Sequence, residues 1–154
     1  MTYQITEACT GCGFCVQWCP VKAIRGRHKR QHTVDTTCIS CGACGRVCSY
    51  GAVLNDDGVQ QRRIRLVEWP KPVWNYAVCQ RCEKCVLACP VQCIQLAVAK
   101  NETIPAGMPN LVRPRACLGC DFCERACSVN AIKLVSEINA SDKSRDRIPL
   151  GPHY

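Results

Sequence analysis

The chain has few of the large side chains that usually fill a protein core: two Phe, two Met, three Trp and four Tyr among 154 residues. Short units built on so little apolar bulk are marginal unless disulfides or bound metal stabilise them further. No apolar run approaches the length of a membrane span. Residues 1–7 contain no basic segment leading into an apolar one, so no secretory leader is expected. Both absences predict a soluble, cytoplasmic protein without membrane insertion. The sequence also lacks an H-E-x-x-H helix, a phosphate-binding glycine-rich loop and a nucleophile paired with a base. No active site for bond-making chemistry is expected, and the chain is read as a non-enzyme.

What the sequence does have is cysteine, 17 residues in all. In a reducing cytoplasm that density argues for metal ligation over disulfides, and an odd total fits disulfide pairing poorly. One spacing occurs four times: Cys9, Cys12, Cys15, Cys19; Cys38, Cys41, Cys44, Cys48; Cys79, Cys82, Cys85, Cys89; and Cys117, Cys120, Cys123, Cys127. The residues that follow each run are Pro20, Ser49, Pro90 and Ser128, so the motifs alternate in type and imply duplication of a two-motif unit. Residues 9–24 and 79–94 agree at eight of sixteen positions, among them Val16 with Val86, Val21 with Val91 and Ile24 with Ile94. The second and fourth motifs also share Arg46 with Arg125 and Ala52 with Ala131.

Short apolar pieces beside each motif, such as Ala52-Val53-Leu54 and Ile132-Lys133-Leu134-Val135, read as strands. The cysteine runs read as loops, with room for one or two helical turns between the third and fourth cysteines before Pro20 or Pro90 ends the helix. Three cysteines at C-x-x-C-x-x-C spacing can bind three irons of one cubane, the loop turning successive thiolates inward. Tetrahedral zinc is the alternative, but zinc knuckles use two cysteines each and leave the third of every run without a role.

Sixteen cysteines in this pattern resemble those of bacterial-type ferredoxins with two 4Fe-4S clusters, repeated in tandem over roughly residues 3–135. The resemblance implies four 4Fe-4S clusters and an α+β fold. Its units would be residues 1–60 and 77–135, with 61–76 as linker and 136–154 as a loose tail. In that family the last cysteine of each run ligates the other cluster. Carried over, the first cluster takes Cys9, Cys12, Cys15 and Cys48, and the second Cys38, Cys41, Cys44 and Cys19. The third takes Cys79, Cys82, Cys85 and Cys127, and the fourth Cys117, Cys120, Cys123 and Cys89. Ser49 and Ser128 depart from the family, where proline is usual.

The resemblance further implies single-electron transfer as a polyferredoxin subunit of a larger oxidoreductase, with tungsten-dependent aldehyde oxidoreductases the preferred assignment. A catalytic subunit would stand at one end of the relay and a flavin or ferredoxin-type carrier at the other, and like subunits could stack. A freely diffusing low-potential ferredoxin and a zinc-binding nucleic-acid module are the rival readings. Against the latter, the formal charge of +8 counts every thiol as neutral, and the basic residues read as counter-charge for anionic clusters. The basic stretch 25–32 is expected to be an exposed hairpin tip, either solvated or docked to an acidic partner. It has no interleaved stacking aromatics, so nucleic acid is not the expected ligand.

Cys93, the seventeenth cysteine, stands where the first half has Ala23 and is expected to be a small buried side chain near a cluster. Trp69 and Trp74 are read as core between the units. The insertion 100–110 is read as a docking loop, and Glu7, Glu83 and Glu124 as surface charges beside the motifs.

Overall fold

The computed structural model describes residues 2–98 and 104–136. Most of the expected tail, 137–154, and residues 100–103 of the expected docking loop lie outside them. The first half contains β1 (Gln4–Ile5), α1 (Phe14–Trp18), β2 (Ile24–Arg25), β3 (Thr33–Val34), α2 (Ala43–Val47) and β4 (Val53–Leu54). The second half repeats this order with β5 (Lys71–Trp74), α3 (Lys84–Leu87), β6 (Ile94–Leu96), β7 (Pro109–Leu111), α4 (Phe122–Arg125) and β8 (Ile132–Val135). Two 3-10 turns, Leu66–Glu68 and Pro114–Ala116, complete the set. These short helices and strands match a ferredoxin-like fold.

In each half the first strand pairs antiparallel with the last, β1 with β4 and β5 with β8, and the middle two form a hairpin, β2 with β3 and β6 with β7. Each helix starts just before the third cysteine of its run. With so few residues before the fourth cysteine, it cannot exceed about one turn. Such elements are too short to be stable alone, so their order depends on what packs between them.

Part of the span expected to be linker is strand. Lys71–Trp74 pairs with Val135–Ile132, which joins the start of the second unit to its end. The physical reason is burial: Pro72 is buried in β5, Ile132 is fully buried in β8, and Trp74 packs into the same cluster.

Among the described residues three buried clusters form the core. One lies in each half, around Cys15, Ile24, Cys44 and Val53, and around Cys85, Cys93, Ile94 and Ile132. The third joins the halves: Ala43, Trp69 and Leu118, with Trp18, Leu66 and Val91 against them. Trp69 is 1% exposed, meets the Trp18 ring at a centroid distance of 5.0 Å, and donates its indole N–H to the Ile64 carbonyl at 3.2 Å. Truncating a fully buried tryptophan costs about 3–5 kcal/mol. Trp69→Ala is therefore expected to lower the urea midpoint of the anaerobic protein strongly, and Trp18→Ala, at the half-exposed edge of the same contact, to lower it less.

Candidate functional site

The four cysteine runs share one backbone path. In every run the residues on both sides of the second cysteine are left-handed: Gly11 and Gly13, Ser40 and Gly42, Arg81 and Glu83, Gly119 and Asp121, with φ from 53 to 81°. For a residue with a side chain that conformation costs roughly 1–2 kcal/mol. Ser40, Arg81, Glu83 and Asp121 adopt it all the same, because the path that turns successive sulfurs inward requires it. The third residue after each run is also left-handed: Lys22, Gly51, Gln92 and Asn130. This turn aims the next backbone N–H at the last sulfur of the run. Ala23 donates to Cys19 Sγ at 3.1 Å, Ala52 to Cys48 at 3.4 Å, Cys93 to Cys89 at 3.4 Å and Ala131 to Cys127 at 3.2 Å.

The sixteen cysteines named from the sequence meet in four cavities. One of about 340 Å³ is lined by Cys9, Cys12, Cys15 and Cys48. One of about 310 Å³ is lined by Cys19, Cys38, Cys41 and Cys44. In the second half a cavity of about 360 Å³ has Cys79, Cys82, Cys85 and Cys127, and one of about 310 Å³ has Cys89, Cys117, Cys120 and Cys123. Each set takes three sulfurs from one run and the last sulfur from the other run of the same half. Among the described residues, no three His, Cys, Asp or Glu side chains converge closely enough to hold a single metal ion.

In each cavity burial opposes ionisation of the third sulfur of the run, Cys15, Cys44, Cys85 or Cys123. Burial, and then the neighbouring cysteines, push Cys15 up to about 11 and Cys44 and Cys123 up to about 12. Four sulfur anions in one small cavity repel one another, so the set is stable as thiolates only around a cationic centre. Backbone N–H groups aimed at the sulfurs favour the same charged form.

Three of the cavities differ in what stands behind their sulfurs. In the first, His32 is buried with Nδ1 3.8 Å from Cys9 Sγ. Sequence reading placed His32 on an exposed hairpin tip. The tip, 25–31, is exposed, but Gly26 has no side chain to block the imidazole, which packs where a Cβ would lie 2.5 Å away. In the third, the Trp74 indole N–H is buried without a well-formed hydrogen bond and lines the cavity beside Cys85. The indole N–H offsets part of the upward shift that burial gives the Cys85 thiol, and a donor there suits an anionic, sulfur-rich occupant.

Cys93 is 1% exposed, with Sγ 3.4 Å from Cys89 Sγ, and it lines the fourth cavity. Its thiol is the chief influence that pulls Cys89 and Cys117 down, to about 5 and about 6, while its own ionisation is driven upward. Spacing indicated its neighbourhood; the contact with the Cys89 sulfur is a product of the packing. Ser49 Oγ accepts a hydrogen bond from Arg63 at 2.6 Å. Glu124, expected to be a surface charge, braces α4 to β8 by accepting from the Leu134 N–H at 2.9 Å and Lys133 Nζ at 3.0 Å.

Comparison with known proteins agrees with this geometry. The family model of the 4Fe-4S dicluster domain matches residues 1–49 and 71–131, its second segment beginning at the first residue of β5. A "Ferredoxin 7Fe" of Hydrogenibacillus schlegelii is 38% identical over 63 residues, 40% of this chain and 81% of that protein. An uncharacterised ferredoxin of Methanocaldococcus jannaschii is 31% identical over 90 residues, 58% of this chain and 46% of that protein. Among solved structures, a chain of a formate dehydrogenase, heterodisulfide reductase and formylmethanofuran dehydrogenase complex from Methanospirillum hungatei is 24% identical with a TM-score of 0.35. That match covers 82% of this chain and 52% of the other, so this chain spans about half the length of that chain and of the M. jannaschii relative. Among the described residues no helix is long and apolar enough to cross a membrane. With the family model matched once in each half, the chain belongs to the 4Fe-4S dicluster family and is an iron–sulfur electron-transfer protein of the ferredoxin type.

Proposed function

We propose that the chain holds four 4Fe-4S clusters in two α+β ferredoxin units and relays single electrons between two redox partners. The observation that carries this reading is the lining of the four cavities: each has four cysteines, three from one run and the last from its companion. The ligands are then Cys9, Cys12, Cys15 and Cys48; Cys38, Cys41, Cys44 and Cys19; Cys79, Cys82, Cys85 and Cys127; and Cys117, Cys120, Cys123 and Cys89.

When bound, each cluster supplies reversible one-electron exchange at a potential set by its protein surroundings. The chain's own part is to hold the sulfurs as thiolates, limit water in the cavities and direct N–H donors at Cys19, Cys48, Cys89 and Cys127, which favours the more negative, reduced state. The partner follows from the tandem-ferredoxin resemblance. It is the catalytic subunit of a larger oxidoreductase, a tungsten-dependent aldehyde oxidoreductase in the preferred form, with a flavin or ferredoxin-type carrier at the other end.

Two measurements test this. Anaerobic analysis is expected to find near sixteen iron and sixteen acid-labile sulfide per chain, one of each for every cysteine in the runs, with visible absorbance that bleaches on dithionite. Zinc without sulfide or colour would overturn the reading. The crossed ligand sets predict that Cys19→Ser perturbs the cluster of Cys38, Cys41 and Cys44, and that Cys48→Ser perturbs the cluster of Cys9, Cys12 and Cys15. In each case the altered EPR signal, with iron lost from about one site in four, belongs to the other run's cluster.

A further inference from the structure

We infer that the four clusters are wired in the order first, second, fourth, third, with an internal junction between Cys41 and Cys120 and the two ends at Cys12 and Cys82. This rests on the four-cluster reading and adds the path. The buried clusters carry the argument. Cys15, Cys44, Cys19 and Cys48 share one of them, which links the first and second cavities. Cys85, Cys89, Cys117, Cys123 and Cys127 share another, which links the third and fourth. The halves meet in the cluster of Ala43, Trp69 and Leu118, and the sulfurs packed against it are Cys41 of the second cavity and Cys120 of the fourth. No buried cluster among the described residues joins any other pair of cavities across the halves.

The second cysteines of the four runs divide by exposure. Cys12 and Cys82 are exposed, whereas Cys41 and Cys120 are partly buried at the junction. Cys41 and Cys120 pack against one buried group, which brings the loops of the second and fourth cavities together.

Arg46 fixes that closeness. Its guanidinium donates to the Cys41 carbonyl at 3.0 Å and, across the junction, to the Leu118 and Gly119 carbonyls at 3.1 and 3.0 Å. Its carbon lies 5.9 Å from the centre of the Trp69 ring. Gly119 has φ +64°, and a Cβ there would lie 2.9 Å from the Pro70 ring, so the backbone loop of the fourth cavity approaches as closely as glycine allows. Electron transfer weakens steeply with distance, so a pair of loops held in contact is the route between units. One electron leaves a reduced iron–sulfur or flavin donor docked at one exposed end, and one electron reaches an oxidised centre of the same class at the other. No bond or proton on the chain need change.

Fully reduced, loaded variants test the order by EPR, where neighbouring clusters broaden each other's signals. Removing the second cluster with Cys38→Ser and Cys41→Ser is expected to leave the first cluster isolated, with a narrow uncoupled signal. Removing the first with Cys9→Ser and Cys12→Ser is expected to leave none narrow, because the second stays coupled to the fourth. A narrow second-cluster signal in that variant would overturn the order. If a variant loses a whole unit, an anomalous iron map of the loaded wild-type chain decides the matter: the shortest distance between units must be second to fourth. A chain shown by iron and sulfide analysis to lack clusters would overturn the four-cluster reading instead.

A separate observation concerns the fourth cluster alone. The position after each left-handed turn is Ala23, Ala52 or Ala131 in three repeats and Cys93 in the other, where a buried thiol contacts Cys89 Sγ at 3.4 Å. On the same reading, we infer that Cys93 is a tuning residue: its S–H donates to the Cys89 ligand sulfur and raises this cluster's potential above that of its counterpart beside Ala23. In an EPR-monitored redox titration, Cys93→Ala is expected to shift the fourth cluster's potential downward, and Ala23→Cys to shift the second cluster's upward. Unchanged potentials in both variants would overturn the inference. Loss of the fourth cluster in Cys93→Ala would also overturn it, since Cys93 would then be a ligand.

Discussion

Everything in this molecule depends on holding sulfur anions close together in small, partly dry cavities. Burial and mutual repulsion push the thiols of Cys15, Cys44 and Cys123 far above their ordinary range, so the gathering stands only if a cationic centre neutralises it. The peripheral elements are too slight to impose it: helices of four or five residues and strands of two to four have little stability of their own. The cofactor would therefore be the core, with the chain wrapped around it. Crossed ligation would also make the first and last strands of each unit, paired as β1 with β4 and β5 with β8, mutually dependent.

Backbone and side chains divide the work. The backbone is the same at all four cavities, with left-handed residues about the second cysteine and a left-handed turn that sends an N–H to the fourth. Side chains differ: an imidazole behind Cys9, an indole beside Cys85, a thiol against Cys89. Chemically equal clusters placed there would meet different hydrogen-bond donors, and such differences separate reduction potentials along a relay.

The formal excess of positive charge is distributed unevenly. The tip of the β2–β3 hairpin exposes Arg25, Arg27, Lys29 and Arg30, and its turn is tied to the first cysteine loop by the Lys29 N–H to Gly11 carbonyl bond at 3.1 Å. That basic rim lies near the exposed Cys12. Long-range attraction to an acidic partner surface at this end would raise encounter rates more than it would strengthen the final complex.

The cysteine spacing was enough to predict four similar sites, the duplication and the short helices, because C-x-x-C-x-x-C leaves a chain few ways to turn its sulfurs inward. It also located Cys93 beside the fourth set of cysteines, through its alignment with Ala23. Spacing could not distinguish Arg46 from Arg125, which occupy equivalent positions. Tertiary structure put Arg46 across the junction on the Leu118 and Gly119 carbonyls, and left Arg125 exposed with Asp121 at 2.7 Å and Phe122 beneath it. Nor could it bury His32, which depends on the missing side chain of Gly26, or make Lys71–Trp74 a strand, which depends on a partner some sixty residues away. Local pattern decided the path of each cysteine loop, because the turns on either side of the second cysteine are set within a few residues. The relation of one repeat to the next rests on contacts between distant segments, and those exist only once the chain has packed.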